Sequence, residues 1–189
     1  MIKLNLQLKL ILLVIPLMIV GPIIVGYWSI QTSKARLLED AYKLIQIQGD
    51  SFVADQVERR YQILQDNNLL QISQYTKHYQ QEIKDLIMQK PTEQNRNIAI
   101  HDTHTNIIIM DPNLSDLNFS YGEIIKVLHN TAEQGVLTFQ GAKYLFYKTT
   151  FPRWNWEVYK FYNFDKISKT IDQIVFATAG VCLFSATFV

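Results

Sequence analysis

Two apolar runs bracket a mixed middle. Leu10–Ile30 (LILLVIPLMIVGPIIVGYWSI) carries no charge, and as a helix its twenty-one residues would span roughly 31 Å, about the thickness of a bilayer's hydrocarbon. The run is longer than the roughly 7–15-residue core of a cleaved signal peptide, which is its rival reading. It also closes on Gly26-Tyr27-Trp28-Ser29, more an interfacial aromatic anchor than a cleavage site. A transmembrane helix is therefore expected over 10–30, bent at Pro16 and Pro22, with 1–9 a cytoplasmic N-terminus. Gln173–Val189 (QIVFATAGVCLFSATFV) is again uncharged and slightly short of a bilayer. It reads as a second transmembrane helix, 173–189, truncated, in the front part of a longer receptor. A buried C-terminal helix and a tail anchor are the alternatives. Cys182 within it is expected to pack in lipid or against another helix.

Between Gln31 and Lys90 there is no proline and one glycine, Gly49. Leu38, Tyr42, Ile45, Phe52, Val57, Tyr61 and Leu64 recur at roughly helical spacing, interrupted at Gly49. Ile72, Tyr75, Tyr79, Ile83 and Leu86 step by three and four. This predicts a long stem helix continuing from the first span, then a second helix, with a break and N-cap at Asp66-Asn67-Asn68. After Pro91 the period becomes that of strands. Asn97–Asp102 and Asn106–Asp111 form a hairpin turned by Thr103-His104-Thr105. Pro112–Ser120 is a polar loop, and Tyr121–Glu133 a helix stopped by Gly135. Val136–Gln140, Tyr144–Thr150 and Trp156–Phe161 are three further strands, and Asn163 or Asp165 caps an exit helix over 163–172. The expected class is α+β: a helical part (31–90) that begins with the long N-terminal stem helix, a PAS-like five-stranded antiparallel sheet with helices (97–162), and two flanking transmembrane helices.

Composition alone suggests something plainer: 189 residues, 18 Lys+Arg against 17 Asp+Glu, 48% hydrophobic. The distribution matters more, because every acid and all but two of the bases (Lys3 and Lys9) lie between Gln31 and Asp172. That near-neutral balance excludes nucleic-acid binding through a basic surface. A single cysteine excludes an intrachain disulfide and any multi-cysteine zinc site.

Ile100–Leu114 (IHDTHTNIIIMDPNL) resembles the strand, Asp-containing turn, strand and Asp-Pro loop of single Cache domains, the extracytoplasmic PAS-like sensors of bacterial chemoreceptors, histidine kinases and cyclic-nucleotide enzymes. Trp154–Ile167 (WNWEVYKFYNFDKI) is similar to that family's last strand and the Asp entering its exit helix. Asn106 stands where the family's turn usually has Gly; Asn is the next residue able to take a positive φ. The Tyr-x-Arg amino-acid signature of double Cache sensors is absent. The resemblance covers most of Gln31–Asp172. It implies a PAS-like sheet and a periplasmic or extracellular sensor domain on the inner (plasma) membrane, with its signalling output in the cytoplasm beyond residue 189.

Candidate chemistry is sparse. No nucleophile-and-base constellation, P-loop, GxGxxG or HExxH is present, so neither an enzyme nor a cofactor is expected within these residues. His101, Asp102 and His104 form a His-Asp-x-His cluster, but strand alternation sends His101 and Asp102 to opposite faces, so a polar hairpin tip is favoured over a metal site. Ligand-binding candidates are Tyr144, Phe146, Lys148, Arg153, Trp154, Trp156, Tyr159 and His101, aromatic walls with a few polar groups to orient a small molecule. Tyr144, Phe146 and Lys148 share one face of their strand; Trp156, Val158 and Lys160 alternate with Glu157, Tyr159 and Phe161. Lys148 or Arg153 would neutralise a carboxylate, the ligand type the resemblance associates with single Cache sensors. Expected partners are that ligand, membrane lipid and a second copy of the chain, dimerised through the stem stripe. The rival expectation is a membrane-anchored structural or protein-interaction domain without a pocket.

Overall fold

A computed structural model describes residues 6–89, 96–115, 133–139 and 142–187, and of these the side chains of 6–13, 15–19, 22, 113, 115, 139, 166, 178–179 and 181–187 remain undescribed. The chain divides into two compact units, 1–39 with 165–189, and 40–164.

The first unit consists of the beginning of α1 (Leu6–Phe52) and all but the first residue of α5 (Phe164–Thr187). Ile30 and Leu37 of α1 line a shallow groove with Ile171 and Ile174 of α5. Among the described residues no helix is long and apolar enough to cross a membrane. Two flanking transmembrane helices are therefore not part of the described fold, and much of both expected spans, Cys182 included, falls on undescribed side chains. The described part of 10–30 does present a run of exposed large hydrophobics, Ile23, Ile24, Val25, Tyr27 and Trp28, the last 74% exposed.

The second unit is α+β. It contains the end of α1, a π-helical segment (Val53–Glu58), α2 (Arg59–Asp66), α3 (Ser73–Gln89) and a five-stranded antiparallel sheet. The strands are β1 (Ile98–Asp102), β2 (Ile107–Met110), β3 (Gln134–Phe139), β4 (Ala142–Phe151) and β5 (Trp156–Asn163), in the order β2-β1-β5-β4-β3. The short α4 (Pro112–Ser115) follows β2. The expected helix 121–133 lies, but for Glu133, outside the described residues.

Alternation along each strand divides the core in two. Ile98 and Ile100 of β1, Trp156 and Val158 of β5, and Phe151 at the end of β4 meet Phe52, Val57, Leu64, Ile83 and Ile87 from the helices. Ala99, Tyr159, Phe161, Tyr144, Phe146 and Leu137 form a second cluster on the opposite face, joined by Leu114 of α4. The stem stripe is thus partly used within the chain: Ile45, Phe52, Val57 and Leu64 are fully or almost fully buried. The exposed apolar residues of the stem are Leu44, Ile47 and Ile63, so any second copy would have to meet those instead.

Packing accounts for two glycines and corrects the expected N-cap. Gly49, at the gap in the apolar stripe, is buried within α1 against the sheet, and a Cβ there would stand 3.1 Å from Tyr147 Cδ1 and 3.6 Å from Lys160 Cβ. Asn67 and Asn68 close α2 rather than open α3: Asn67 Nδ2 donates to the Ile63 carbonyl at 2.7 Å, and Asn68 takes a φ of 55°. Gly135, expected as a helix stop, lies inside β3 opposite Phe146, whose ring fills the space a side chain would need, 2.9 Å from an added Cβ. The π segment left no mark that hydrophobic spacing could reveal.

Candidate functional site

The eight candidate residues separate onto two faces and a turn. Trp154 and Trp156 belong to the helix-covered face, their ring centroids 5.0 Å apart, and neither indole N–H has a hydrogen-bond partner among the described residues. Arg153 is exposed in the 3₁₀ turn Pro152–Trp154, its guanidinium 4.7 Å from the Tyr61 ring centroid and 3.7 Å from Glu58. Those three are therefore separated by the sheet from the other five. His101, Tyr144, Phe146, Lys148 and Tyr159 are brought together on the opposite face.

That face holds one polar cluster within its apolar surface. His101 of β1 and Glu157 of β5 are cross-strand partners, and Lys148 of β4 is the partner of Tyr159. His101 Nδ1 lies 3.0 Å from Glu157 Oε2, and its Nε2 lies 3.0 Å from Asn106 Oδ1, so both ring nitrogens are engaged. The Tyr159 hydroxyl donates to the same Oε2 at 2.8 Å. Glu157 Oε1 faces the Lys148 ammonium at 3.7 Å, beyond hydrogen-bond range. Burial works against charge on Glu157, yet the hydrogen bonds from His101 and Tyr159 and the positive Lys148 outweigh it and hold the carboxyl below its ordinary range. Burial and the adjoining carboxylate push the Tyr159 phenol far up, so it remains a donor.

The turn beside the cluster is built by its own side chains. Asp102 accepts from the backbone N–H groups of His104 and Thr105 at 3.0 Å each, and Asn106 takes a φ of 57°. Asp102 therefore points away from His101, as alternation requires. Among the described residues no group of three His, Cys, Asp or Glu is placed to hold a metal.

Sequence reasoning missed Glu157, and it took Asn106 for a turn former, which it is, without its contact to His101. The signal for Glu157 was present, since a charged residue shares a strand face with Tyr159 and Phe161, a position that burial permits only when the charge is partnered. The lysine it selected has a second property that the alternation implies. Lys148 stands between Tyr147 and Thr149, which face the other way, and both hydroxyls donate to Asp50 of α1 at 3.1 Å. The strand residue that reaches the polar cluster is thus flanked by the two that grip the stem helix.

No protein-family model, curated protein or solved structure matches the chain.

Proposed function

We propose that the chain is the ligand-sensing part of a membrane-bound signalling receptor, of the single Cache type that the sequence resembles. The observation carrying this reading is the His101–Glu157–Tyr159–Lys148 cluster, four polar side chains set into a face otherwise lined by Tyr144, Phe146, Phe161 and Leu137. An apolar wall with a few convergent polar groups is the usual composition of a small-molecule site. The five-stranded antiparallel sheet agrees with what the resemblance implies.

Signalling follows from differential affinity. A ligand that binds better when Lys148 is displaced moves β4, and with it Tyr147 and Thr149 against Asp50 of α1. The helix that carries Asp50 runs unbroken from Leu6, through the uncharged run 10–30 that is the expected span. Membrane attachment through that run is supported by its length, its lack of charge and its exposed Tyr27 and Trp28. The sensor domain lies outside the cell or in the periplasm in this reading, with an output on the cytoplasmic side.

The test is a thermal-shift screen of the full chain in detergent against small organic acids, amines and amino acids, with hydrogen exchange of the α1 amides around Asp50 as second readout. A ligand that raises the melting temperature and alters that exchange supports the sensor. A folded chain with a flat response across the panel favours a membrane-anchored interaction domain instead.

A further inference from the structure

Resting on the reading of this face as a ligand site, we infer that its ligand is a small zwitterion, with an ammonium and a carboxylate on the same or adjacent carbons, bound across Lys148 and Glu157. Both side chains are only 17% exposed, and each has unused hydrogen-bonding capacity aimed at the other. Glu157 Oε2 is engaged by His101 and Tyr159, which fixes the carboxylate's orientation and leaves Oε1 without a hydrogen bond among the described residues. Among the described residues the Lys148 ammonium has no hydrogen-bond partner, and that same Oε1 stands 3.7 Å away. A carboxylate and an ammonium held this close, but not joined, form the complement of a molecule carrying the opposite pair.

Charge balance selects among ligand classes. A simple carboxylate drawn to Lys148 meets Glu157 as a like charge, and a simple amine drawn to Glu157 meets Lys148 in the same way. A zwitterion inserts with alternating charges: Lys148 Nζ donates to its carboxylate, and its ammonium donates to Glu157 Oε1. It brings no net charge into a partly buried site that is itself balanced, so the desolvation cost is met by two ion pairs instead of one. Tyr144 and Phe146, four and two residues back on the same face as Lys148, supply an apolar wall for a substituent on the ligand's carbon. The Tyr-x-Arg signature plays no part in this; the pair is made by residues of β4 and β5.

Thermal shift and calorimetric titration of the full chain in detergent test the inference, with glycine, alanine, 4-aminobutyrate, acetate and methylammonium as probes. Glycine or alanine should raise the melting temperature, while acetate, methylammonium and the charge-separated 4-aminobutyrate should do so much less. Lys148→Met and Glu157→Gln should each weaken alanine binding at least about tenfold. Lys143→Met, on an exposed position of the same strand, should leave it unchanged. If Glu157→Gln does not fold, Lys148→Met alone decides the matter, with Lys148→Arg expected to restore binding. Lys148-dependent binding of acetate as tight as that of alanine overturns the zwitterion and leaves the sensor reading standing. Alanine binding indifferent to both substitutions overturns the site. No response to any probe from a folded chain overturns the inference and removes the reading it rests on.

Discussion

Lys160 offers the most quantitative test of the packing between stem and sheet. It lies on the helix-covered side of β5, 3% exposed, with its ammonium donating to the Arg96 carbonyl at 2.6 Å. Burial lowers its pKa from 10.5 to about 8, against the pull of Asp111. At roughly 1.4 kcal/mol per pH unit, that fall corresponds to about 3 kcal/mol. Below pH 8 both native and unfolded chains hold the proton, and the contribution is constant. Between 8 and 10.5 the unfolded chain still holds a proton that the native chain has released, so native stability rises with pH and levels off above. Lys160→Met removes the titrating group while keeping most of its apolar stem, so subtracting the two proteins cancels every other group. The difference in unfolding free energy, wild type minus Lys160→Met, should climb by about 3 kcal/mol between pH 8 and 10.5 and stay flat from pH 6 to 8. Urea unfolding of the full chain in detergent, followed by fluorescence of the buried Trp154 and Trp156, measures it. Curves that stay parallel across the whole range, or a difference that falls with pH, would refute the assignment of Lys160 as a buried ammonium.

Asp50→Asn replaces a charged acceptor of the Tyr147 and Thr149 hydroxyls with a neutral one, and should cost up to about 1 kcal/mol in melting stability. It should also speed hydrogen exchange in α1 beside Gly49; unchanged exchange would show that the two hydroxyls do not hold the helix. Gly135→Ala places a Cβ 2.9 Å from Phe146 and should destabilise by about 1–3 kcal/mol, a loss that Phe146→Leu relieves in the double variant. Strictly additive losses in that cycle would argue against the contact. Asn155 has a φ of 55° at the end of the Pro152–Trp154 turn, so Asn155→Val should cost about 1–2 kcal/mol by denaturant titration while Asn155→Gly is neutral or slightly stabilising. Equal effects of Val and Gly would place the cost elsewhere.

The sequence determined what depends on neighbours along the chain. The period of two in IAIHD and WEVYKFYN and the turn formers between runs placed all five strands, each within about two residues at both ends. The same alternation put Tyr144, Phe146 and Lys148 on one face of β4, and set Trp156 and Val158 against Tyr159 and Phe161 within β5. It could say nothing of which strands are neighbours, and that decided the site. His101 and Glu157 are fifty-six residues apart, and they meet because the first and last strands pair at the centre of the sheet. Arg153, Trp154 and Trp156 were grouped with them by closeness in sequence, yet the thickness of one sheet divides them. The reason for two glycines was hidden in the same way. Gly49 and Gly135 look like breaks in a linear pattern, but each marks a place where a distant aromatic ring, Tyr147 or Phe146, occupies the room of a side chain. Local propensity and periodicity are properties of a segment, whereas cross-strand pairing, close approach and a shared charge cluster exist only once segments far apart in the chain have packed.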